Sequence, residues 1–277
     1  MSVHDPQPGQ RLGPYRLEEP LGEGAVGLVY RATRVADGAV VALKVLRPRL
    51  SADREFVQRF LHEARAAQEA ESRHLVPIVD AGEADGRHYL AASFVAGSSL
   101  ERRIEAAGPL PIEDVVRVVA HVAAGLDALH RHKLIHRDVK PSNILLDEQG
   151  GAALTDFGLA KGPAYTVLTK PGQLMGTLDY MAPELIRGEE ATPATDLYAL
   201  GGVAFECLAG TAPFGHRGLL EVATAHLEEE PPDPCAGRPD APAGLSWAAL
   251  QALAKDPAAR PPTAIAYAHL LRAAASA

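Results

Sequence analysis

Only two cysteines, Cys207 and Cys235, occur in 277 residues, which excludes the disulfide framework that staples small secreted domains. Cys207 lies in a strongly apolar stretch, where a small buried thiol is expected, and the chain reads as a protein of a reducing compartment. Long apolar runs are lacking too. The longest, Leu197 to Gly210, is interrupted by Glu206 and falls short of the roughly 20 residues that span a bilayer, so a buried helix is expected there and not a membrane anchor. The opening MSVHDPQPGQRLGPY has no apolar core, which speaks against a signal peptide. A basic stripe is also missing: 27 Lys and Arg face 35 Asp and Glu, a net charge of −8 with both signs interspersed, and nucleic acid is not expected as a partner. What is present is ordinary globular material. A hydrophobic content of 47% over this length supports one large domain or two lobes with their own cores.

From Tyr15 to Val45 short apolar stretches are broken by Gly and Asp, with Asp37-Gly38 between two strand-like runs as in a hairpin. Phe56, Phe60 and Ala67 then recur at helical spacing within Ser51 to Ala70, and strands are expected around Leu75 to Asp80 and Tyr89 to Val95. Beyond Gly97 the pattern turns helical, starting with Ile112 to His132, whose stripe is Val115, Val119, Val122, Leu126 and Leu129. Short strand-like pieces, Ile144 to Leu146 and Ala152 to Thr155, interrupt it. No internal repeat is present. A β-rich first third followed by a helical remainder predicts an α+β fold with two segregated lobes, not an alternating parallel sheet.

Gly22-Glu23-Gly24-Ala25-Val26-Gly27 lies between Leu21 and Val29-Tyr30. Missing side chains there let backbone N–H groups approach phosphate oxygens; a glycine hairpin needing positive φ explains the same letters. A dinucleotide-binding loop requires a helix after it, whereas a strand-like Leu28 to Ala32 follows here. Val41-Ala42-Leu43-Lys44 puts a lysine in an apolar strand, where its stem is buried and its ammonium needs an anion, unless it snorkels to water from an edge. Glu63 on the next helix is the expected partner, an ion pair that positions the ammonium against nucleotide phosphates; Glu69 and Glu71 lie close by in sequence.

The most informative stretch is His136-Arg137-Asp138-Val139-Lys140-Pro141-Ser142-Asn143, followed by Thr155-Asp156-Phe157-Gly158. A phosphoryl group in flight carries charge that needs cations, and magnesium needs oxygen ligands, which Asn143 and Asp156 offer. Asp138 is suited to accept the proton of a substrate hydroxyl, and Lys140 to neutralise the transferring phosphate. Each of Asp138, Asn143 and Asp156 could singly be a turn residue, a reading that explains the set poorly.

At these residues the chain resembles the eukaryotic-like (Hanks-type) protein kinases, especially their bacterial Ser/Thr branch, which carry a glycine loop, a VAxK lysine, HRDxKxxN and DFG in this order. The likeness runs from about Tyr15 to Leu271. It implies a bilobal kinase fold, with residues 1–14 a tail, 15–95 the N-lobe and start of the hinge, and 96–277 the C-lobe, one kinase domain over 15–271. The resemblance implies ATP with Mg2+ (Mn2+ as an alternative) as cofactors, and nucleotide contacts from Leu21, Gly22, Gly24, Gly27, Val29, Ala42, Lys44, Ala92, Ser93 and Val95. Ala92 corresponds to the gatekeeper, and an alanine there implies an open rear pocket. Val26 replaces the aromatic residue common at the loop tip. His136 resembles the family's core-packing histidine, and Phe157 is a structural residue of the same kind.

Gly176-Thr177-Leu178-Asp179-Tyr180-Met181-Ala182-Pro183-Glu184 resembles the end of an activation segment. Glu184 is expected to pair with Arg260, Thr177 to shape the substrate groove, and Asp196, near a helix N-terminus, to hold the catalytic-loop backbone. Tyr165, Thr166 and Thr169 are candidate phosphate acceptors, and autophosphorylation is expected at Thr166 or Thr169, where the added charge pairs with Arg137. These features imply protein substrates, a cytoplasmic location, alone or as the cytoplasmic part of a longer membrane protein, and homodimerisation through the N-lobe as in relatives. Two other readings share the fold: a pseudokinase scaffold, whose usual losses at Lys44, Asp138 or Asp156 are absent, and a small-molecule phosphotransferase, which the activation segment argues against.

Overall fold

A computed structural model describes residues 5–24, 26–156 and 178–277. The chain divides into two units, Met1–Glu71 with Val76–Val95, and Ser72–Leu75 with Ala96–Ala277.

In the first unit β1 (Arg11–Leu12), β2 (Tyr15–Glu23), β3 (Gly27–Arg34), β4 (Val40–Leu46), β5 (Ile78–Ala84) and β6 (Arg87–Ser93) form one antiparallel sheet in the order β1-β2-β3-β4-β6-β5. Side chains alternate across a strand, and one face buries Tyr15, Leu17, Tyr30, Ala32, Val41, Leu43 and Val45 in a common core. The Tyr15 and Tyr89 hydroxyls both donate to Asp80 Oδ2, at 3.0 and 3.2 Å, which ties β2 and β6 to β5. Burial, and then the Asp80 charge, push the Tyr89 phenol up to about 12. The expected hairpin turn joins β3 to β4, with the Asp37 carboxylate taking hydrogen bonds from Arg34 and from the Ala39 N–H, and Gly38 at φ +73°. After a short α1 (Pro48–Ser51), α2 (Arg54–Glu69) starts at Asp53, whose carboxylate accepts the Phe56 N–H at 3.1 Å. It buries Phe56, Phe60, Ala64 and Ala67 and packs on β5.

Two expectations are revised here. The segment before Tyr15 is not a loose tail from residue 5 onward: β1 pairs with β2, the Gly9 N–H donates to the Leu17 carbonyl, and Tyr30 Oη donates to the Pro6 carbonyl at 2.6 Å. The strand expected at Leu75 to Asp80 begins only at Ile78, after Pro77, which has no N–H for a ladder. Leu75 instead bridges Leu154, and the Leu154 N–H donates to the His74 carbonyl, so Ser72–Leu75 belongs to the second unit.

The second unit holds β7 (Ser98–Ser99), α3 (Leu100–Ala107), α4 (Ile112–Arg131), β8 (Ile144–Leu146), β9 (Ala152–Leu154), α5 (Pro183–Ile186), α6 (Pro193–Ala209), α7 (Leu219–Glu228), α8 (Leu245–Leu250) and α9 (Ala264–Ala275). The strands form a small antiparallel sheet in the order β7-β8-β9. The predicted stripe of α4 is buried, and α4 packs against α6 and α9. Almost the whole of α6 is buried, Cys207 included, and burial pushes that thiol's pKa up. The helix starts at Pro193 behind a Thr192–Thr195 capping box, so Asp196 sits inside its first turn. No helix among the described residues is long and apolar enough to cross a membrane. A β-rich unit with one principal helix and a mostly helical second unit make up the expected α+β kinase-like fold.

Candidate active site

The first unit carries the glycine-rich loop between β2 and β3, and its glycines differ in what surrounds them. A Cβ on Gly27 would lie 2.0 Å from the Val45 carbonyl oxygen, so the close approach of β3 to β4 requires glycine. Around Gly22 nothing lies within 4 Å of such a Cβ, and around Gly24 only the Gly27 carbonyl oxygen at 4.0 Å. Both are exposed. Packing within the protein does not demand glycine at either position, and the space over their backbone suits a ligand's oxygens. Gly27→Ala is expected to cost about 1–3 kcal/mol through overpacking. Gly22→Ala should leave stability within about 0.5 kcal/mol and weaken nucleotide binding; thermal denaturation with and without Mg-ATP checks both.

Register places Val29, Ala42, Lys44 and Ala92 on one face with Gly22, and Ser93, opposite Val41, on the other. Gly22 opposes Val29, Val29 opposes Lys44, Ala42 opposes Ala92, and Val41 opposes Ser93. Val29, Ala42 and Lys44 are half-buried while Val41, Leu43 and Val45 are fully buried, so Ala42 and Lys44 face away from the tyrosine-lined core. Leu21 is exposed, and Ser93 and Val95 are half-buried at the end of this unit. Glu63 stands half-buried on α2.

The second unit gathers the acidic and amide groups around a kinked segment. Arg137 and Asp156 both adopt left-handed φ, +63° and +57°, a conformation that costs energy for residues with a Cβ and recurs where function demands it. Asp196, 1% exposed, holds the first kink. Its Oδ1 accepts the Arg137 N–H at 2.8 Å, and its Oδ2 accepts the His136 N–H at 2.8 Å and lies 2.8 Å from His130 Nε2. This is the backbone-holding role expected of Asp196. His130, at the end of α4, has no sequence signal, because its partner lies 66 residues away.

His136 is fully buried. Burial lowers its pKa against the opposing charges of Asp196 and Asp138, so the ring is neutral. Its Nδ1 accepts the Asp138 N–H at 3.2 Å, which leaves Nε2 to donate to the Thr155 carbonyl at 3.0 Å. It packs and ties the loop, as its sequence context predicts, and is not placed to act as a base.

Asp138, Lys140 and Asn143 converge. Lys140 Nζ lies 3.3 Å from Asp138 Oδ2, and Asn143 Nδ2 donates to the same oxygen at 3.1 Å and to the Asp138 carbonyl at 2.8 Å. The Asn143 nitrogen is thereby committed, leaving its carboxamide oxygen as the atom that can ligate a cation. The Thr155 N–H donates to the Asn143 carbonyl at 2.9 Å, binding the segment before Asp156 to that of Asn143. Among the described residues no three His, Cys, Asp or Glu side chains cluster as a metal cage. Asn143 and Asp156 offer oxygen only, which fits a hard cation that brings phosphate and water oxygens with it. A small depression beside Asp138 is walled by both polar and apolar side chains, among them Arg137, Thr195, Asp196, Tyr180 and Leu185.

Behind this surface Arg260 and Glu184 form the expected pair, bidentate at 2.7 and 2.8 Å, with the guanidinium 4.8 Å over the Tyr198 ring. Burial works to raise the Glu184 carboxyl, but hydrogen bonds led by that from Arg260 bring it below the usual range. Phe157, Thr166, Thr169 and Thr177 lie outside the described residues.

Residues 15–243 match the protein kinase domain family. Over 261 residues the chain is 39% identical to serine/threonine-protein kinase PknD of Mycobacterium tuberculosis (strain H37Rv), covering 94% of this chain and 39% of that protein. Over 257 residues it is 35% identical to serine/threonine-protein kinase PrkC of Bacillus subtilis (strain 168), covering 92% and 40% respectively. The chain thus spans about two fifths of the length of these curated relatives. The crystal structure of the Mycobacterium tuberculosis PknI kinase domain superposes with a TM-score of 0.77 at 31% identity, covering 98% of this chain and all of that one.

Proposed function

Since this chain belongs to the protein kinase family, as a catalytic domain of its bacterial Hanks-type Ser/Thr branch, we propose that it transfers the γ-phosphoryl group of ATP to Ser and Thr hydroxyls of proteins. The observation that carries this is the fixed triad of Asp138, Lys140 and Asn143 on a loop whose kink is anchored by Asp196. Asp138 orients the attacking hydroxyl and takes its proton as the oxygen bonds to the γ-phosphorus and the bond from that phosphorus to the bridging oxygen breaks, with ADP leaving. Lys140, beside the same carboxylate, neutralises charge on the group in transit. A divalent cation, Mg2+ first and Mn2+ as a substitute, supplies charge neutralisation at the phosphate oxygens when bound. Asn143 and Asp156 would hold it through their oxygens. Lys44, paired with Glu63, and the backbone of Gly22 and Gly24 position the triphosphate.

The likeness to serine/threonine-protein kinases supports a protein substrate. The acidity of the chain argues against nucleic acid as partner. The kinase domain occupies residues 15–271, works on the cytoplasmic side, accepts phosphate on its own Thr166 or Thr169, and pairs with a second copy through its β-rich unit. Phosphate transfer from Mg-ATP to a generic basic protein tests the reading. Wild type should label the protein, and Asp156→Ala should not; equal labelling by both would remove the proposed metal site and the mechanism with it.

Ala92 also sets nucleotide access. It opposes Ala42 on one side and Ile78 on the other, so two alanines meet where β4 and β6 pair. An ATP competitor with a bulky substituent should inhibit wild type about tenfold more tightly than Ala92→Met; equal inhibition would count against an open rear pocket.

A further inference from the structure

The glycine-rich loop is gripped by one residue that the reaction as described does not use. Arg47 follows β4 and precedes Pro48. A residue before proline is pushed into extended backbone, and Arg47 has φ −60° and ψ 145°. In that conformation its N–H donates to the Val26 carbonyl at 2.9 Å. Its side chain turns to the same loop: Nε and Nη2 donate to the Gly24 carbonyl at 3.3 and 3.1 Å, and Nη2 meets Glu23 Oε1 at 2.6 Å. Across the loop the Gly24 N–H donates to the Gly27 carbonyl at 2.9 Å. The carbonyls of Gly24 and Val26 are thus both held on Arg47, and the loop's carboxylate, Glu23, is neutralised by the same guanidinium.

We propose that Arg47 is a positioning residue for the nucleotide, a clamp that sets the glycine-rich loop and cancels the Glu23 charge where a polyphosphate has to approach. The proposal rests on the kinase reading and adds a residue to it. Three physical effects act together. A glycine-rich segment loses much conformational freedom when ordered, and the fork of Arg47 pre-orders it. Carbonyl oxygens held on the N–H groups of Arg47 cannot turn toward an incoming phosphate. An unpaired carboxylate on the loop would repel that phosphate, and Arg47 removes its charge. The Glu23–Arg47 pair is open to water, at 63% and 23% side-chain exposure, where ion pairs add little to folding stability. The clamp therefore acts on the loop and not on the fold.

The test uses the purified chain as wild type, Arg47→Ala, Arg47→Lys, Glu23→Ala and the double variant Glu23→Ala/Arg47→Ala. The dissociation constant for Mg-ATP is read by titration, and kcat and KM by phosphotransfer. Arg47→Ala should raise both Kd and KM about tenfold while kcat stays within about threefold. Arg47→Lys should fall between, because an ammonium restores the charge but not the planar fork. Glu23→Ala should stay within about twofold of wild type, and the double variant should recover about a third of the loss of Arg47→Ala, a coupling that a purely structural role does not produce. A Kd for Arg47→Ala within twofold of wild type, or a double variant as weak as Arg47→Ala, would overturn the clamp. Wild type that binds Mg-ATP without transferring phosphate defeats the kinase reading while the Kd series still decides on Arg47; wild type that does not bind Mg-ATP overturns both.

Discussion

Asp138→Asn should lower kcat for protein phosphorylation by about 10²–10⁴-fold, the usual share of a positioned acid–base group, with KM for ATP almost unchanged. The substitution keeps shape and one acceptor oxygen, so the Asn143 amide retains a partner at the position now 3.1 Å away. The loop stays anchored, because its backbone hangs from Asp196 and from the His136 ring and not from the Asp138 carboxylate. What disappears is the group that takes the hydroxyl proton, together with the charge that holds Lys140 Nζ at 3.3 Å. Steady-state kinetics with varied ATP and varied protein substrate separates these effects. A loss confined to KM would mean that Asp138 binds and does not catalyse.

Arg260→Ala should destabilise the second unit by about 3–5 kcal/mol, the cost of leaving a buried charge without its partner. Glu184 is 3% exposed, and without Arg260 its carboxylate keeps the Thr195 hydroxyl at 3.2 Å but no cation. The reverse change is gentler. In Glu184→Gln the guanidinium still donates to the carbonyls of Ala254, Ala194 and Lys255, so a smaller loss is expected. The sign with pH follows from the depressed Glu184 carboxyl. Its contribution is present above the unfolded value near 4.5 and is lost as pH falls through the folded one. Denaturant unfolding of the three proteins at pH 7 and at acidic pH checks the ranking; equal losses for both variants would contradict the asymmetry.

Much of the candidate site is legible in the sequence because the proposed phosphoryl transfer demands particular groups at particular short spacings. Asp138, Lys140 and Asn143 lie within six residues, and the fold had only to bend that segment for them to meet. Glycine alone does not announce its purpose: Gly22, Gly24 and Gly27 read alike in sequence, yet only Gly27 is pressed against a neighbouring strand. His130 and Arg47 are not legible at all. Each acts through a partner far along the chain, Asp196 for the one and the Glu23–Gly24 turn for the other, and long-range pairing leaves no periodicity to read.

The fold follows the same division. The alternation of the strands and the stripe of α4 give the elements and their buried faces. They do not reveal that residues 5–12 join the sheet through backbone bonds, one tyrosine hydroxyl and the Arg87–Asp5 pair. Nor do they reveal that Leu75 serves the second unit. An apolar residue next to a strand looks the same whether it packs on that strand's sheet or on another core.

The most direct measurement follows the phosphorus atom. Wild-type chain is incubated with Mg2+ and ATP labelled in the γ-phosphate, alone and with a generic basic protein, and the labelled residues are identified after hydrolysis. Label should appear as phosphoserine or phosphothreonine, and none should appear when the label is in the α-phosphate. Nucleotide bound with no γ-label ever reaching a protein hydroxyl would contradict a catalytic role and leave a binding scaffold in its place.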